Sequence, residues 1–232
     1  MVDVPSPILT QHHSRYNMTN MRHIPPSIDN LVFDMGGILI PITMERCFHA
    51  FRALGFKDIA NYVNAYYKDG LFQELELGNI SADVFCDNVL KHCQPGTTHQ
   101  DILQAWNAFI EPIPERKLAT ILQLRNHYRI FLLSNTNIIH WQFELETAFC
   151  RNGRSIHDLF ENTYLSFERH STKPDPQMFE ELIDETHVDP AKTLFMDDAQ
   201  LNCDAAEKCG MQSFFDPTAN QWETLFAQTD EN

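Results

Sequence analysis

The stretch LVFDMGGILIP, residues 31–41, places one aspartate at the end of an apolar run and follows it with two glycines. A short apolar run bounded by turn-forming residues predicts a buried strand, here with Asp34 at its carboxyl end. In open parallel sheets this end of a strand is where ligands bind. Gly36 and Gly37 allow the backbone to turn sharply and to approach a ligand closely. The alternative at this point is an aspartate that only caps a turn.

Apolar runs of strand character recur along the chain and alternate with helical patterns. The further runs are RIFLLS at 129–134, NTYLSF at 162–167, TLFM at 193–196 and QSFF at 212–215. Helical periodicity occupies residues 138–150, 175–187 and 199–209. Alternating strands and helices with nearly unbroken apolar strands predict an α/β fold whose parallel sheet is covered on both faces.

One interval breaks this alternation. Roughly ninety residues separate the first strand from the second, far more than a single crossover helix requires. Its segments MERCFHAFRALGF, SADVFCDNVLKHC and THQDILQAWNAFI space apolar residues by three and four, as amphipathic helices do. We therefore expect a helical domain at 43–113, inserted into a core domain formed by 28–42 and 114–232. Residues 1–27 show no periodicity and are predicted to be a flexible tail.

The composition limits the kinds of function and partner that we expect for this protein. The chain has 232 residues, of which 43% are hydrophobic and 21% charged, and its formal net charge is -15. An acidic surface repels phosphate backbones and anionic membranes, so neither nucleic acid nor a membrane is an expected partner. With no apolar run long enough to span a membrane and no signal-peptide pattern, the cytoplasm is the expected location. The six cysteines form no C-x-x-C pair and are predicted to be reduced core residues.

Polar residues follow the second strand and precede a later helix. Ser134 and Asn135 end LLSNTN, where hydroxyls and backbone N–H groups suit an anion, although these residue types are also ordinary helix starters. In TKPDP, Pro174 holds Lys173 in an extended conformation. A lysine that is merely solvated is the alternative interpretation of this segment.

The fourth strand ends in two adjacent acids, Asp197 and Asp198. Neighbouring carboxylates repel each other unless a cation compensates them. Together with Asp34, a backbone carbonyl and waters, they form an all-oxygen ligand set that suits Mg²⁺. An ion-paired helix start is the alternative for this pair.

Taken together in chain order, these four segments resemble the motifs of the haloacid dehalogenase (HAD) superfamily. FDMGG is similar to its first motif, LLSNT to its second, the TKPDP lysine to its third and MDDAQLN to its fourth, over residues 29–216. The resemblance implies a Rossmann-like three-layer core, and the insert looks like the cap of the C1 type. Bacterial sugar-phosphatase-like members with FDxGxV at the first motif are the most similar subgroup.

The resemblance also implies roles for individual residues. Asp34 would attack phosphorus and form an aspartyl-phosphate that water hydrolyses. Mg²⁺ would be bound by Asp34, the Gly36 carbonyl and Asp198, with Asp197 beside it. The remaining implied roles are phosphate binding by Ser134 and the Asn135 amide, charge compensation by Lys173, and orientation of the acidic loop by Asn202.

The chain departs from the family pattern at Gly36, where phosphatases usually carry a second aspartate that acts as general acid and base. A positioned general acid contributes about 10²–10⁴-fold to the rate. Three outcomes stay open. Easily departing groups, or a substitute acid among Glu74, Glu76 and His49, could sustain phosphatase activity. Displacement of halide needs no proton donor, and a protein without catalysis could keep the pocket for binding.

We predict a Mg²⁺-dependent phosphatase acting on a small phosphorylated metabolite, as a monomer or homodimer. Arg169 and His170 make the loop before Lys173 more cationic and are either substrate contacts or solvated. The candidate specificity residues lie after Asp34 and in the GLFQELELG segment, and they are Ile42, Thr43, Arg46, Phe72, Gln73 and Glu74.

Overall fold

A five-stranded parallel sheet forms the centre of the molecule. The computed structural model describes residues 24–63 and 70–226. The strands are β1 Asn30–Phe33, β2 Arg129–Ser134, β3 Asn162–Leu165, β4 Thr193–Asp197 and β5 Gln212–Phe215, in the spatial order β3-β2-β1-β4-β5. All four neighbouring pairs are parallel. The predicted α/β class with a parallel sheet is confirmed.

Helices cover both faces of this sheet. They are α6 Glu115–Leu124, α7 Ile138–Glu144, α8 Ile156–Leu159, α9 Ser166–Arg169, α10 Pro176–Thr186 and α11 Gln200–Lys208. Short 3₁₀ segments lie at Arg151–Gly153, Pro190–Lys192 and Trp222–Phe226. Successive strand residues point to opposite faces: Val32 packs in the same apolar cluster as Phe179 of α10, whereas Leu31 and Phe33 pack with Ile121 of α6. Because both faces are buried, the strands are apolar almost throughout.

Between β1 and α6 the chain forms a helical insert with an apolar core of its own. Its helices are α1 Met44–Ala53, α2 Ile59–Tyr62, α3 Leu71–Glu76, α4 Ala82–Leu90 and α5 His99–Asn107. Phe51, Phe85 and Trp106 are the large side chains of this second cluster. The chain enters and leaves the insert side by side, because Thr43 N–H donates to the Phe109 carbonyl at 2.8 Å.

Two of the elements predicted from the sequence need correction. The third strand ends at Leu165, and not at residue 167, since Ser166 begins the short helix α9. The helix expected over 138–150 is α-helical only to Glu144 and continues as a π-helical turn at Leu145–Phe149. The turn ends where Arg154 donates hydrogen bonds to the carbonyls of Ala148 and Phe149, which satisfies carbonyls left free at a helix end.

The cysteines are free, as expected, but they are not all in the core. Cys150 is exposed, and Cys93 and Cys209 are half-buried. The predicted tail is also too long at its C-terminal end: Ile24 packs against the main apolar cluster and Ile28 N–H donates to the Pro25 carbonyl at 3.0 Å. Residues 1–23 of that prediction lie outside the described residues. None of the helices in the described ranges has the length and apolar character that crossing a membrane requires.

Candidate active site

The carboxyl ends of the three central strands bring the predicted polar residues to one edge of the sheet. In the register of β1, Phe33 lies opposite Leu132 of β2 and opposite Met196 of β4. The next residues along these strands therefore leave the sheet together, and Asp34 N–H donates to the Met196 carbonyl at 2.9 Å. Asp34 thus lies between the ends of β2 and β4, beside Ser134 and Asp197.

Lys173 joins two of the acids at this edge. Its ammonium Nζ lies 2.7 Å from Asp34 Oδ1 and 2.7 Å from Asp197 Oδ2, and its side chain is 1% exposed. It also donates to the Leu133 carbonyl at 2.9 Å. Since all three donors of the ammonium are used, the lysine is fixed in place and is not the solvated loop residue of the alternative interpretation.

Asn135 positions the backbone of that lysine. Its side-chain amide donates to the Lys173 carbonyl at 2.9 Å, and its Oδ1 accepts from Lys173 N–H at 2.8 Å. The sequence motif predicts a role only for the Asn135 backbone amide. The side chain is a second, structural contribution that no local pattern revealed, because its partner lies 38 positions further along the chain.

Burial and neighbouring charges act in opposite directions on the pKa values of Asp34 and Lys173. Burial raises the pKa of Asp34 to about 7, against the lowering effect of the Lys173 ammonium, and the neighbouring Asp197 raises it further. Burial by itself would lower the pKa of Lys173, but the charges of Asp197 and Asp34 outweigh it and raise that pKa. Lys173 is therefore a permanent cation among carboxylates.

The two adjacent acids have different surroundings. Asp197 is fully buried, and its Oδ1 accepts from Ala199 N–H at 2.8 Å and from the Asn202 side chain at 3.0 Å. Asn202 thus holds the acidic loop, as the resemblance implies. Asp198 is half-buried, and no other described residue donates a hydrogen bond to its carboxylate. Burial raises the pKa of Asp198, and the charge of Asp197 raises it further.

The backbone after Asp34 lies directly against Asp198. Gly37 has φ +77°, and a Cβ at this position would lie 2.1 Å from Asp198 Oδ2. Only glycine permits both this conformation and this close approach. A Cβ at Gly36 would meet nothing nearer than Ile42 Cγ2 at 3.7 Å, an ordinary van der Waals contact, so the backbone there does not require glycine.

These residues fit a divalent cation. Carboxylate oxygens of Asp34, Asp197 and Asp198 all lie within 4.8 Å of one another. Three carboxylates against one ammonium leave an excess of two negative charges in a largely buried place, which an ion of charge two would neutralise. The donors are all oxygen, as Mg²⁺ prefers, and Asp198 still has free lone pairs.

Ser134 is fully buried and its hydroxyl makes one long contact, 3.4 Å to the Asn135 carbonyl. It therefore retains most of its hydrogen-bonding capacity. Thr136, two residues on, is tied to Ser166: its N–H donates to the Ser166 hydroxyl at 2.9 Å, and that hydroxyl donates to its carbonyl at 2.7 Å. Sequence reasoning missed Ser166, which follows a strand without any motif of its own.

The candidate specificity residues divide into separate groups. Thr43 Oγ1 donates to Glu111 at 2.7 Å and Arg46 forms an ion pair with the same carboxylate at 3.3 Å, so both join the start of the insert to its end. Phe72 packs against Phe85 and Trp106 inside the insert, with ring centroids 5.1 and 4.9 Å apart. Ile42 and Glu74 are exposed, and Gln73 Oε1 is buried without a described partner.

The two cationic residues before Lys173 are engaged elsewhere. Arg169 forms an ion pair with Glu185 of α10 at 2.6 Å and lies over the ring of Tyr164 at 4.8 Å. His170 Nδ1 lies 2.7 Å from the Leu77 carbonyl. Arg169 is thus held against the core domain, and His170 connects it with the insert.

Comparison with known proteins agrees with this geometry. The family model described as haloacid dehalogenase-like hydrolase matches residues 28–210. D-ribitol-5-phosphate phosphatase of Bacteroides thetaiotaomicron is 35% identical over 195 residues, which cover 84% of this chain and 95% of that protein.

Solved structures show the same relationship. A HAD family enzyme of Bacteroides thetaiotaomicron in complex with magnesium and inorganic phosphate is 36% identical, with a TM-score of 0.81 over 86% of this chain and 100% of that one. A HAD-like family hydrolase of Porphyromonas gingivalis is 32% identical, with a TM-score of 0.78 over 89% and 100%. The L-2-haloacid dehalogenase RSc1362 shares the fold alone, at 17% identity and a TM-score of 0.54 over 81% and 86%.

Proposed function

The chain belongs to the haloacid dehalogenase-like hydrolase family, and from that premise we propose that it is a Mg²⁺-dependent phosphatase of small phosphorylated polyols or sugars. The observation that carries the proposal is the buried cluster in which Lys173 bonds Asp34 and Asp197 while Asp198 keeps free lone pairs. A similar enzyme from Bacteroides thetaiotaomicron holds both magnesium and inorganic phosphate.

Asp34 is the proposed nucleophile. Lys173 holds one of its carboxylate oxygens at 2.7 Å, which fixes the orientation of the group at the edge of the sheet. A carboxylate that attacks phosphorus yields an aspartyl-phosphate, which splits one difficult displacement into two easier ones. The Ser134 hydroxyl and the Asn135 backbone N–H would bind the oxygens of the phosphoryl group.

Asp34, Asp198 and the Gly36 carbonyl are the proposed Mg²⁺ ligands, with Asp197 beside them. When bound, the ion neutralises charge on the phosphoryl oxygens and so stabilises the transition state. Asp197 has most of its lone pairs occupied by Lys173, Ala199 and Asn202, so its main contribution is to hold Lys173 and the loop.

We assign the helical insert, residues 43–113, to a cap over the site, and 28–42 with 114–232 to the core domain. The insert has an apolar core of its own, and its Glu76 carbonyl accepts a hydrogen bond from Ser166 at the carboxyl end of β3. A cap that closes over a substrate excludes water and contributes specificity. Similarity to a ribitol-5-phosphate phosphatase supports a linear or cyclic polyol ester as substrate.

The test is a screen of phosphate esters, including ribitol 5-phosphate, with and without Mg²⁺. Wild type is compared with Asp34→Asn and with Glu146→Gln, an exposed carboxylate on the π-helical turn far from the cluster in sequence. We expect turnover that requires Mg²⁺, is lost in Asp34→Asn and is kept in Glu146→Gln. Tight binding of phosphate esters without turnover would instead identify a binding protein, and metal-independent halide release from a 2-haloacid would identify a dehalogenase.

A further inference from the structure

A phosphatase of this kind needs a proton donor for the leaving oxygen. In the core domain, Gly36 has no side chain that could supply this proton. An alkoxide is a strongly basic leaving group, so its departure without a proton is slow. A Cβ at Gly36 would make only an ordinary van der Waals contact, 3.7 Å to Ile42 Cγ2, so the missing side chain leaves room beside the backbone that follows Asp34. The insert contacts this edge of the sheet, where the Glu76 carbonyl oxygen lies 2.8 Å from the Ser166 hydroxyl, and can bring a donor to it.

Three candidates for this donor lie in the described part of the insert, and their surroundings differ. His49 of α1 and Glu74 of α3 are exposed. Glu76, the last residue of α3, is half-buried. Burial raises its pKa to about 7, and the opposing influence on this pKa is the charge of Lys173. Since Coulombic influence falls with distance, the effect of the Lys173 charge on this pKa agrees with a Glu76 carboxyl on the side of the insert that faces the acidic cluster.

Two contacts fasten the turn that carries Glu76 to the core domain. The Ser166 hydroxyl lies 2.8 Å from the Glu76 carbonyl oxygen and 2.7 Å from that of Thr136, which is two residues beyond Ser134. His170 Nδ1 lies 2.7 Å from the Leu77 carbonyl. The hydroxyl of Ser166 thus connects the backbone of Glu76 with the proposed phosphate-binding loop.

Gly78 shows how closely this turn approaches the core domain. Its φ is +68°, and a Cβ would lie 2.0 Å from the Phe167 carbonyl oxygen. No other residue type fits such a contact without displacing backbone. The turn at 76–78 is therefore held against the core domain at the carboxyl end of β3.

We propose that Glu76 is the general acid and base of the reaction, in the place left open by Gly36. This inference rests on the proposed phosphatase function. In the first step an Asp34 oxygen bonds to phosphorus, the bond from phosphorus to the leaving oxygen breaks, and the Glu76 proton passes to that oxygen to give the alcohol. In the second step the Glu76 carboxylate takes a proton from water as this water attacks phosphorus. The bond to Asp34 then breaks, inorganic phosphate leaves, and Glu76 is protonated again.

The experiment compares two leaving groups in wild type and Glu76→Gln, with Glu146→Gln as the matched control. Ribitol 5-phosphate releases an alkoxide that needs a proton, whereas 2,4-dinitrophenyl phosphate releases a weakly basic phenolate that does not. We measure kcat/KM, because it reports the steps up to departure of the leaving group and excludes hydrolysis of the aspartyl-phosphate. The expected result is a loss of about 10²-fold or more with the alkyl ester and less than about 3-fold with the aryl ester.

An equal loss with both esters, or no loss with either, overturns the assignment, since a merely structural role does not distinguish leaving groups. Glu76→Asp, which retains a carboxyl on a shorter side chain, repeats the comparison if the glutamine variant does not fold. The same selective but smaller loss is expected, and an equal loss with both esters again overturns the assignment. Failure of the phosphatase proposal is a different result, in which wild type itself shows no Mg²⁺-dependent turnover of either ester.

Discussion

Single residues decide the electrostatics of this site. Lys173 is the one cation that contacts the described acidic cluster, and it bonds both Asp34 and Asp197 at 2.7 Å. Gly37 lets Asp198 come against the backbone that follows Asp34. The two residues contribute in different ways. Lys173 compensates negative charge, and Gly37 lacks the side chain that would keep the acids apart.

Lys173→Met should destabilise the fold strongly in the absence of Mg²⁺. Removing one partner of a buried ion pair leaves uncompensated charge, which costs about 3–5 kcal/mol. Equilibrium unfolding in urea measures the change in the free energy of unfolding. Added Mg²⁺ should restore part of it, because the ion compensates the same carboxylates. A variant as stable as wild type without metal would contradict this account of the cluster.

Gly37→Ala should weaken Mg²⁺ binding without unfolding the protein. The new methyl would lie 2.1 Å from Asp198 Oδ2 and would displace this carboxylate. We expect the Mg²⁺ concentration for half-maximal activity to rise roughly 10-fold or more. Gly153→Ala is the matched control, since Gly153 has the same φ of +77° but its Cβ would meet no described atom within 4 Å. Equal Mg²⁺ requirements in the two variants would argue against the assignment of Asp198 as a ligand.

Among the helices, α7 packs in the interior and carries a buried acid, Glu144, that has no partner among the described residues. Its N-cap is Asn137, whose Oδ1 accepts hydrogen bonds from the N–H groups of Ile139 and His140 at 3.1 Å, and the helix ends at Glu144 before the π-helical turn. Glu144 is fully buried, and neither of its carboxylate oxygens has a hydrogen-bond partner among the described residues. Burial raises the pKa of Glu144 to about 7.

Glu144→Gln should stabilise the protein at alkaline pH and change little at pH 4. The folded-state pKa lies above the unfolded value, so the folded state binds more protons between pH of about 4.5 and 7. The free energy of unfolding of wild type therefore falls across this window relative to that of the variant. We expect a difference of about 1–3 kcal/mol at pH 8, measured by urea unfolding at several pH values. Glu146→Gln should show no such dependence, and a constant difference at all pH values would refute the explanation.

At the scale of the whole molecule, two apolar cores meet around the site. Ile139 of α7 belongs to the cluster of the helical insert, while Trp141 belongs to that of the sheet. His140, between them, stacks on Trp106 at 4.6 Å, and its Nε2 lies 3.1 Å from the Trp106 carbonyl. Burial lowers the pKa of His140 to about 4, so this contact between insert and core domain involves a neutral imidazole.

Mg²⁺ should stabilise the whole fold through the cluster. A ligand that binds only the folded state adds about 2.7 kcal/mol at a concentration of 100 times Kd. For a chain of 232 residues this corresponds to a rise in Tm of roughly 5–10 °C, measured by thermal unfolding. Asp198→Asn should lose most of the rise while keeping a similar Tm without metal. An equal Mg²⁺ response in Asp198→Asn would place the ion elsewhere.

The α/β class, the family and the four segments at one edge of the sheet can be predicted from the sequence alone. These properties depend on local patterns: apolar runs, helical spacing, and acids or glycines placed directly after strands. Positions relative to the predicted elements therefore identify four residues of the site, Asp34, Ser134, Lys173 and Asp197. The ends of elements were less certain, as β3 shows, because Ser166 leaves the strand to bond Thr136 from a distant part of the chain.

The tertiary structure, by contrast, shows how these groups share their hydrogen bonds and charges. It distinguishes the occupied Asp197 from the open Asp198, assigns the Asn135 side chain to Lys173, and separates the half-buried Glu76 from the exposed Glu74. It also shows that Cys150 lies on the surface. The physical reason is that burial and Coulombic interaction depend on distances between segments far apart in sequence, and packing sets those distances.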